Sequence, residues 1–200
     1  MGDTTNTSEF IDYLSLESRT SNLSESFTDA KPHKHIIVDR LLATSVAEKA
    51  AHVFPSLATM EALNDFRQHR AQDPNLDKFE VIFQQVIKEH LHSARFVRWV
   101  EEISGISNLR TDDQLYAAGL AQSGHGGYLN VHIDNSSHPT LPCYRRLNLL
   151  VYLNQNWLDE NGGHLELWSQ NMDASVSILP TFNRMALCET HQASWDGIDG

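Results

Sequence analysis

The sequence predicts a mainly β chain with flanking helices, an α+β domain in which N-terminal helices buttress an all-β barrel or sandwich. Three observations carry this reading. Two helical apolar stripes lie in the first half of the chain. Five short strand-like runs follow Gly119. Turn-forming clusters separate those runs at regular intervals.

Taken in order, residues 1–30 are rich in Ser, Thr, Asn, Asp and Glu, with scattered Phe10, Ile11, Tyr13 and Leu14. That composition predicts a loosely attached polar extension, the alternative being one short helix over 9–16 packed on the domain. The domain proper is expected over 31–200. Its first run, HIIVDRLL at 35–42, has a β-branched centre and reads as a strand. Thr44 or Ser45 offers an N-cap to a helix that runs to about residue 53 and stops before Pro55. Phe79, Ile82, Phe83, Val86, Ile87 and Leu91 fall on one helical face across 76–92. Ser93 can cap a second helix that turns Phe96, Val97, Val100 and Ile103 inward, with Gly105 just past its end. The strand-like runs are 127–134, 145–154, 163–168, 175–179 and 183–189. Turns are expected at 136–139, 159–163, 171–173 and Pro180.

With 40% hydrophobic and 20% charged residues in 200, the chain can bury one core. A net charge of −11 argues against an extended nucleic-acid or anionic-membrane surface. No apolar run is long enough to span a bilayer, and the acidic, polar N-terminus is unlike a signal peptide. Cys143 and Cys188 are too few for a disulfide framework and have no CxxC spacing, so a reducing, cytoplasmic location is the expectation. Oligomeric state is unknown at this stage.

His132-Ile133-Asp134 is the sharpest local feature. On a strand, residues i and i+2 share a face, so the imidazole and the carboxylate converge while Ile133 points away. This supplies two members of a 2-His-1-carboxylate facial triad, the arrangement that holds non-heme Fe(II) and leaves positions open. Alone, the pair is a weak signal. Its surroundings strengthen it: Gly124, Gly126 and Gly127 before it, then RRLNLLVYLN at 145–154, Trp157, Gly162-Gly163, LELW at 165–168 and PTFNR at 180–184.

Those motifs, in that order, resemble the prolyl 4-hydroxylase-like group of Fe(II)/2-oxoglutarate-dependent dioxygenases, over about residues 33–197. The resemblance implies a double-stranded β-helix (jelly-roll or cupin-like), with the metal at one end. His132 and Asp134 match the first two iron ligands. Tyr152 matches a strand tyrosine that binds the distal carboxylate of 2-oxoglutarate. Asn148 matches a polar neighbour of that cosubstrate, and Gln122 a residue over the site. Arg145 and Arg146 lie near the rim, facing substrate or simply solvated. His125 and His138 flank the site in loops, within reach of substrate. The cofactor expected is Fe(II), with 2-oxoglutarate and O2 as cosubstrates and ascorbate as an accessory reductant. The activity implied is hydroxylation of an unactivated C–H bond, with a prolyl or other peptidyl side chain as first substrate class and a free amino acid or other small molecule as second. Two rivals remain open: a binding module that keeps the barrel without productive iron, and a cupin-like isomerase or hydrolase using another metal.

The pattern breaks in two places. Where the group has its third histidine ligand, this chain reads Ser194-Trp195-Asp196-Gly197, so Asp196 takes the position. Asp196 ligates, or His191 substitutes for it, or the metal site is damaged; the sequence leaves all three open. The group also places a basic residue, which pairs with the distal carboxylate, on the strand after that ligand, and none of the four residues after Asp196 is basic. The expectation is therefore a fragment lacking its closing strand, or a protein without that anchor, with Arg184 as a conceivable but more structural-looking substitute.

Overall fold

The computed structural model describes residues 9–134 and 137–200. Part of the expected turn at 136–139 and the first eight residues of the polar extension lie outside them. Among the described residues, ten strands form two antiparallel sheets, with five α-helices gathered against one of them.

The three-stranded sheet has the order β1 (His35–Asp39), β9 (Arg184–Glu189), β6 (Leu147–Tyr152). β9 is its central strand and the most deeply buried, with Met185, Ala186, Leu187 and Cys188 all inside. Alternation splits their contacts. Met185 and Leu187 join Ile36 and Val38 in the larger core under the helices. Ala186 and Cys188 join Leu165, Leu167 and Ile178 in a smaller cluster between the sheets, flanked by Leu150 and Tyr152. The second sheet has the order β2 (Ala62–Asn64), β3 (Gln68–Asp73), β5 (Tyr128–Ile133), β10 (Trp195–Ile198), β7 (Leu165–Trp168), β8 (Ser175–Ile178). β4 (Leu120–Gln122) also pairs with β3. The five expected strand runs from 127 onward all appear.

α5 (Ala94–Ser104) follows its sequence signals. The Ser93 side chain accepts from Phe96 N, and Gly105 closes the helix in the left-handed region at φ 68°. The stripe at 76–92 is less regular than expected. α4 (Val81–Gln84) continues as π-helical turns over Gln85–Leu91, which still bury Ile82, Phe83 and Val86. α3 (Thr44–His52) begins one residue earlier than the capping residues suggested, after Ala43, with no side-chain cap.

Residues 9–30 differ from the expected loose extension. They form α1 (Tyr13–Glu17) and α2 (Thr20–Asp29) and bury Ile11, Tyr13, Leu16 and Phe27 in the main core. A few well-placed apolar side chains outweigh a polar composition here, because each buried one contributes about 1.5–3 kcal/mol. β2, β3 and β4 were not foreseen either: Gln68–Asp73 has no apolar alternation, and its pairing comes from the sheet around it. Among the described residues no helix is long and apolar enough to cross a membrane.

Candidate metal centre

The centre is built on two neighbouring strands. His132 on β5 stands directly opposite Asp196 on β10, so their side chains leave the same face of the sheet. Asp134, two residues beyond His132, falls on that face as well. One ligand atom from each of the three lies within 4.8 Å of the others, and this is the single such group among the described residues. The β5–β10 register shifts between Asp196 and Ile198. Gly197 sits in that irregularity, where an added Cβ would lie 2.9 Å from Leu129 O and 3.0 Å from Val131 N. Only glycine allows so close an approach, and the bulge sets the aim of Asp196.

Neighbouring groups fix which atoms face the centre. His132 Nδ1 donates to Asn130 O at 3.0 Å. The neutral ring is thereby left with its lone pair on Nε2, which lies 3.4 Å from Asp134 Oδ1. Asp134 Oδ2 is already taken: it accepts from Asn148 Nδ2 at 2.9 Å and pairs with Arg145 Nη1 at 3.0 Å. Asp134 Oδ1 and His132 Nε2 therefore point at one another, with no other partner among the described residues.

The charges follow from this crowding. Burial raises the Asp134 carboxyl, but the His132 hydrogen bond and the Arg145 guanidinium outweigh burial and hold it below its ordinary value. The Asp134 hydrogen bond holds His132 above its ordinary value despite burial. Asp196 has no such partner among the described residues. Burial first, then the nearby Asp134 charge, push it up to about 7, with His132, Arg145 and Arg70 opposing. Without a cation, the centre keeps a proton that a metal would displace.

Tyr152 Oη and Gln122 Oε1 are buried and have no hydrogen-bond partner among the described residues. Burial pushes the Tyr152 phenol up, so it stays a hydroxyl donor. The orphaned Tyr152 hydroxyl, which feels the Asp196 charge, together with one imidazole nitrogen and two carboxylate oxygens suits a divalent ion with a small polar ligand. The donor set is harder than two histidines and one carboxylate, so with a divalent ion it would favour Fe(II) less over Mn(II).

Several sequence expectations are placed differently. His191 is exposed on the turn after β9, its Nδ1 accepting from Ala193 N at 3.1 Å, and it is not in the cluster; Asp196 is. Arg184 is committed to Asp39 at 2.6 and 3.1 Å and to Leu179 O at 3.0 Å, and so is not free to anchor a cosubstrate. Arg145 faces Asp134 and Tyr116 O rather than open solvent. Asn148 holds Asp134. His125 is exposed on the turn between β4 and β5 and makes no hydrogen bond or ion pair with the three clustered residues. Arg70 went unforeseen. It sits on β3, its Nε on Gln68 Oε1 at 2.8 Å, close enough to feel both Asp134 and Asp196. With β3 unrecognisable in the sequence, nothing signalled it.

Residues 118–197, which hold all three clustered side chains, match the model of the 2OG-Fe(II) oxygenase superfamily. That match spans 80 of the 200 residues, the part of the chain that carries the candidate centre. Three solved structures share the fold. One is a prolyl hydroxylase from Trichoplax adhaerens in complex with a hypoxia inducible factor oxygen degradation domain peptide fragment, at TM-score 0.62 and 17% identity, covering 99% of this chain and 89% of that one. A Pseudomonas putida prolyl-4-hydroxylase matches at TM-score 0.56 and 13% identity, with 88% and 91% covered. A prolyl 4-hydroxylase from Phytophthora capsici matches at 0.53 and 14%, with 98% and 63% covered. No curated protein matches the chain in sequence. The two sheets are thus those of a double-stranded β-helix, and the candidate centre lies on the sheet that carries β5 and β10.

Proposed function

We propose that this chain is a 2OG-Fe(II) oxygenase that binds Fe(II) through His132, Asp134 and Asp196 and hydroxylates a peptidyl side chain, a prolyl residue first. One observation supports the metal reading above all: two strands distant in sequence bring an imidazole and two carboxylates within 4.8 Å. The peptide reading leans on the Trichoplax adhaerens neighbour, which was solved with a peptide. A free amino acid is the second substrate class. The two free cysteines suit a cytoplasmic setting.

When bound, Fe(II) with 2-oxoglutarate and O2 supplies the oxidising power for C–H hydroxylation, and ascorbate is the reductant expected to keep it active. The chain's own residues position that chemistry. Asn148 and Arg145 hold Asp134 Oδ2, leaving Oδ1 for the ion. Asn130 O keeps the His132 Nε2 lone pair inward. The Tyr152 hydroxyl, buried and without a partner among the described residues, would donate to a carboxylate of the cosubstrate, the role the resemblance gives it. Leu150, Leu165 and Leu167 keep water from the space between the sheets.

A second reading, a β-helix module that binds without oxidising, has Asp196 behind it, where the resemblance places a histidine. Anaerobic titration with Fe(II) and 2-oxoglutarate, followed by the visible charge-transfer band, separates the two. A band in the chain as it stands supports the oxygenase, and an oxygen atom's mass gain on prolyl peptides, dependent on both additions, completes the case. A band that appears only in Asp196→His supports the binding module.

A further inference from the structure

The cluster carries one negative charge more than the usual facial triad. Two imidazoles and one carboxylate leave a divalent ion with a net positive charge. One imidazole and two carboxylates, the set formed by His132, Asp134 and Asp196, cancel it. A neutral centre exerts no long-range pull on an anionic ligand. A cation fixed beside the carboxylates restores that pull.

Arg145 is such a cation. Its Nη1 lies 3.0 Å from Asp134 Oδ2, the oxygen not paired with His132. Its Nη2 donates to Tyr116 O at 3.0 Å. Both arms of the guanidinium are therefore held, and the side chain is 17% exposed. The next residue differs: Arg146 is 50% exposed and meets Glu189 at 3.4 Å, a pair that solvent screens. Among the described residues, Arg145 is the only lysine or arginine paired with a member of the cluster. Its charge also reaches the second carboxylate. Burial and the Asp134 charge push Asp196 up, and His132, then Arg145, then Arg70 oppose them. Asn148 Nδ2 already holds Asp134 Oδ2 at 2.9 Å. A neutral donor suffices to aim that oxygen, so what Arg145 adds is charge.

We propose that Arg145 balances the second carboxylate of this centre, so that a metal ion held by His132, Asp134 and Asp196 keeps the net positive charge with which it draws in an anionic oxygen ligand. The cosubstrate of the proposed oxygenase, a dicarboxylate, is a ligand of that class. This role rests on the reading of the three residues as a metal centre. It makes Arg145 and Asp196 a pair: the harm done by removing the arginine should be undone by replacing the aspartate with a neutral ligand.

The test uses the full chain loaded with Co(II), whose visible spectrum reports both occupancy and the arrival of further ligands. Oxalate is the anionic probe, and imidazole, largely uncharged at pH 8, is the neutral one. Arg145→Gln should weaken oxalate by about tenfold or more, the scale of a unit charge lost from a partly buried site, and leave imidazole unchanged. Arg145→Lys should keep most of the oxalate affinity. Arg145→Gln/Asp196→His should recover it. A purely structural role for Arg145 gives another pattern, with both probes weakened together and no recovery in the double variant, and that pattern overturns the proposal. If Arg145→Gln does not load, the comparison passes to the Asp196→His background. There the same substitution should again weaken oxalate about tenfold, and no weakening overturns the proposal. Failure of the unaltered chain to take up Co(II) overturns the metal reading and this role with it. Normal uptake with oxalate indifferent to Arg145→Gln overturns this role alone.

Discussion

The two sheets divide the work between them. In the three-stranded sheet, β9 is buried along its length, and its Met185 and Leu187 lock into the helices. In the other, β5 and β10 carry His132, Asp134 and Asp196 on half-exposed strands, two carboxylates close together with one proton too many. One sheet is optimised for packing. The other tolerates an electrostatic cost at the place where an ion would relieve it. The difference teaches that stability and metal affinity should be separable by mutation in this chain.

The sharpest way to break that comparison is on β9. Leu187→Ala should destabilise the chain by about 2–5 kcal/mol in denaturant melts, through the cavity it leaves, yet preserve metal affinity below the transition. If metal affinity fell in step with stability, the division between the sheets would be wrong. Asp134→Ala should do the reverse, lowering Mn(II) affinity by more than about 100-fold with a small stability change, because a ligand matters more than its supporting shell. Asn148→Ala removes only the amide that holds Asp134 Oδ2, and should cost metal affinity about 10–100-fold by the same titration.

Smaller effects sharpen the comparison through pH. Asp196 and His132 both hold protons more tightly than usual, so a cation competes with protons. Apparent Mn(II) affinity should rise as pH is taken up through about 7 and fall below it. For the metal-free chain the sign follows from the raised Asp196 value. The favourable, protonated state of this group is present at low pH and is lost as pH rises through about 7. Asp196→Asn should therefore raise the melting temperature by a few degrees at pH 8 and by little at pH 5, while abolishing metal binding. A stabilisation equal at both pH values would show that packing, not charge, governs the position.

The β half of the fold was readable because its strands are apolar and Gly, Asn, Asp and Pro punctuate them. α5 was readable because Ser93 and Gly105 bracket an amphipathic stripe. Each of those signals is local. β2 to β4 were hidden because Gln68–Asp73 is held by pairing with β4 and β5 and not by its own propensity. The docking of α1 and α2 was hidden because four buried side chains do not alter the average of thirty residues. In the site, His132 and Asp134 share a strand and announce themselves. Their relation to Asp196, Arg145 and Arg70 exists only in three dimensions, and the resemblance supplied the Asp196 position that spacing alone could not.

The pairing of His132 with Asp196 joins two strands with β6 to β9 between them in sequence. Closing so long a stretch of chain carries an entropic cost that no local contact offsets. The ligand triad should consequently be among the last contacts to form and the first to part. A divalent ion bridging β5 and β10 would then act as a clasp on the closed barrel. Its largest influence would fall on how fast the native chain opens, and a chelator would shorten the lifetime of the whole fold rather than loosen one corner of it.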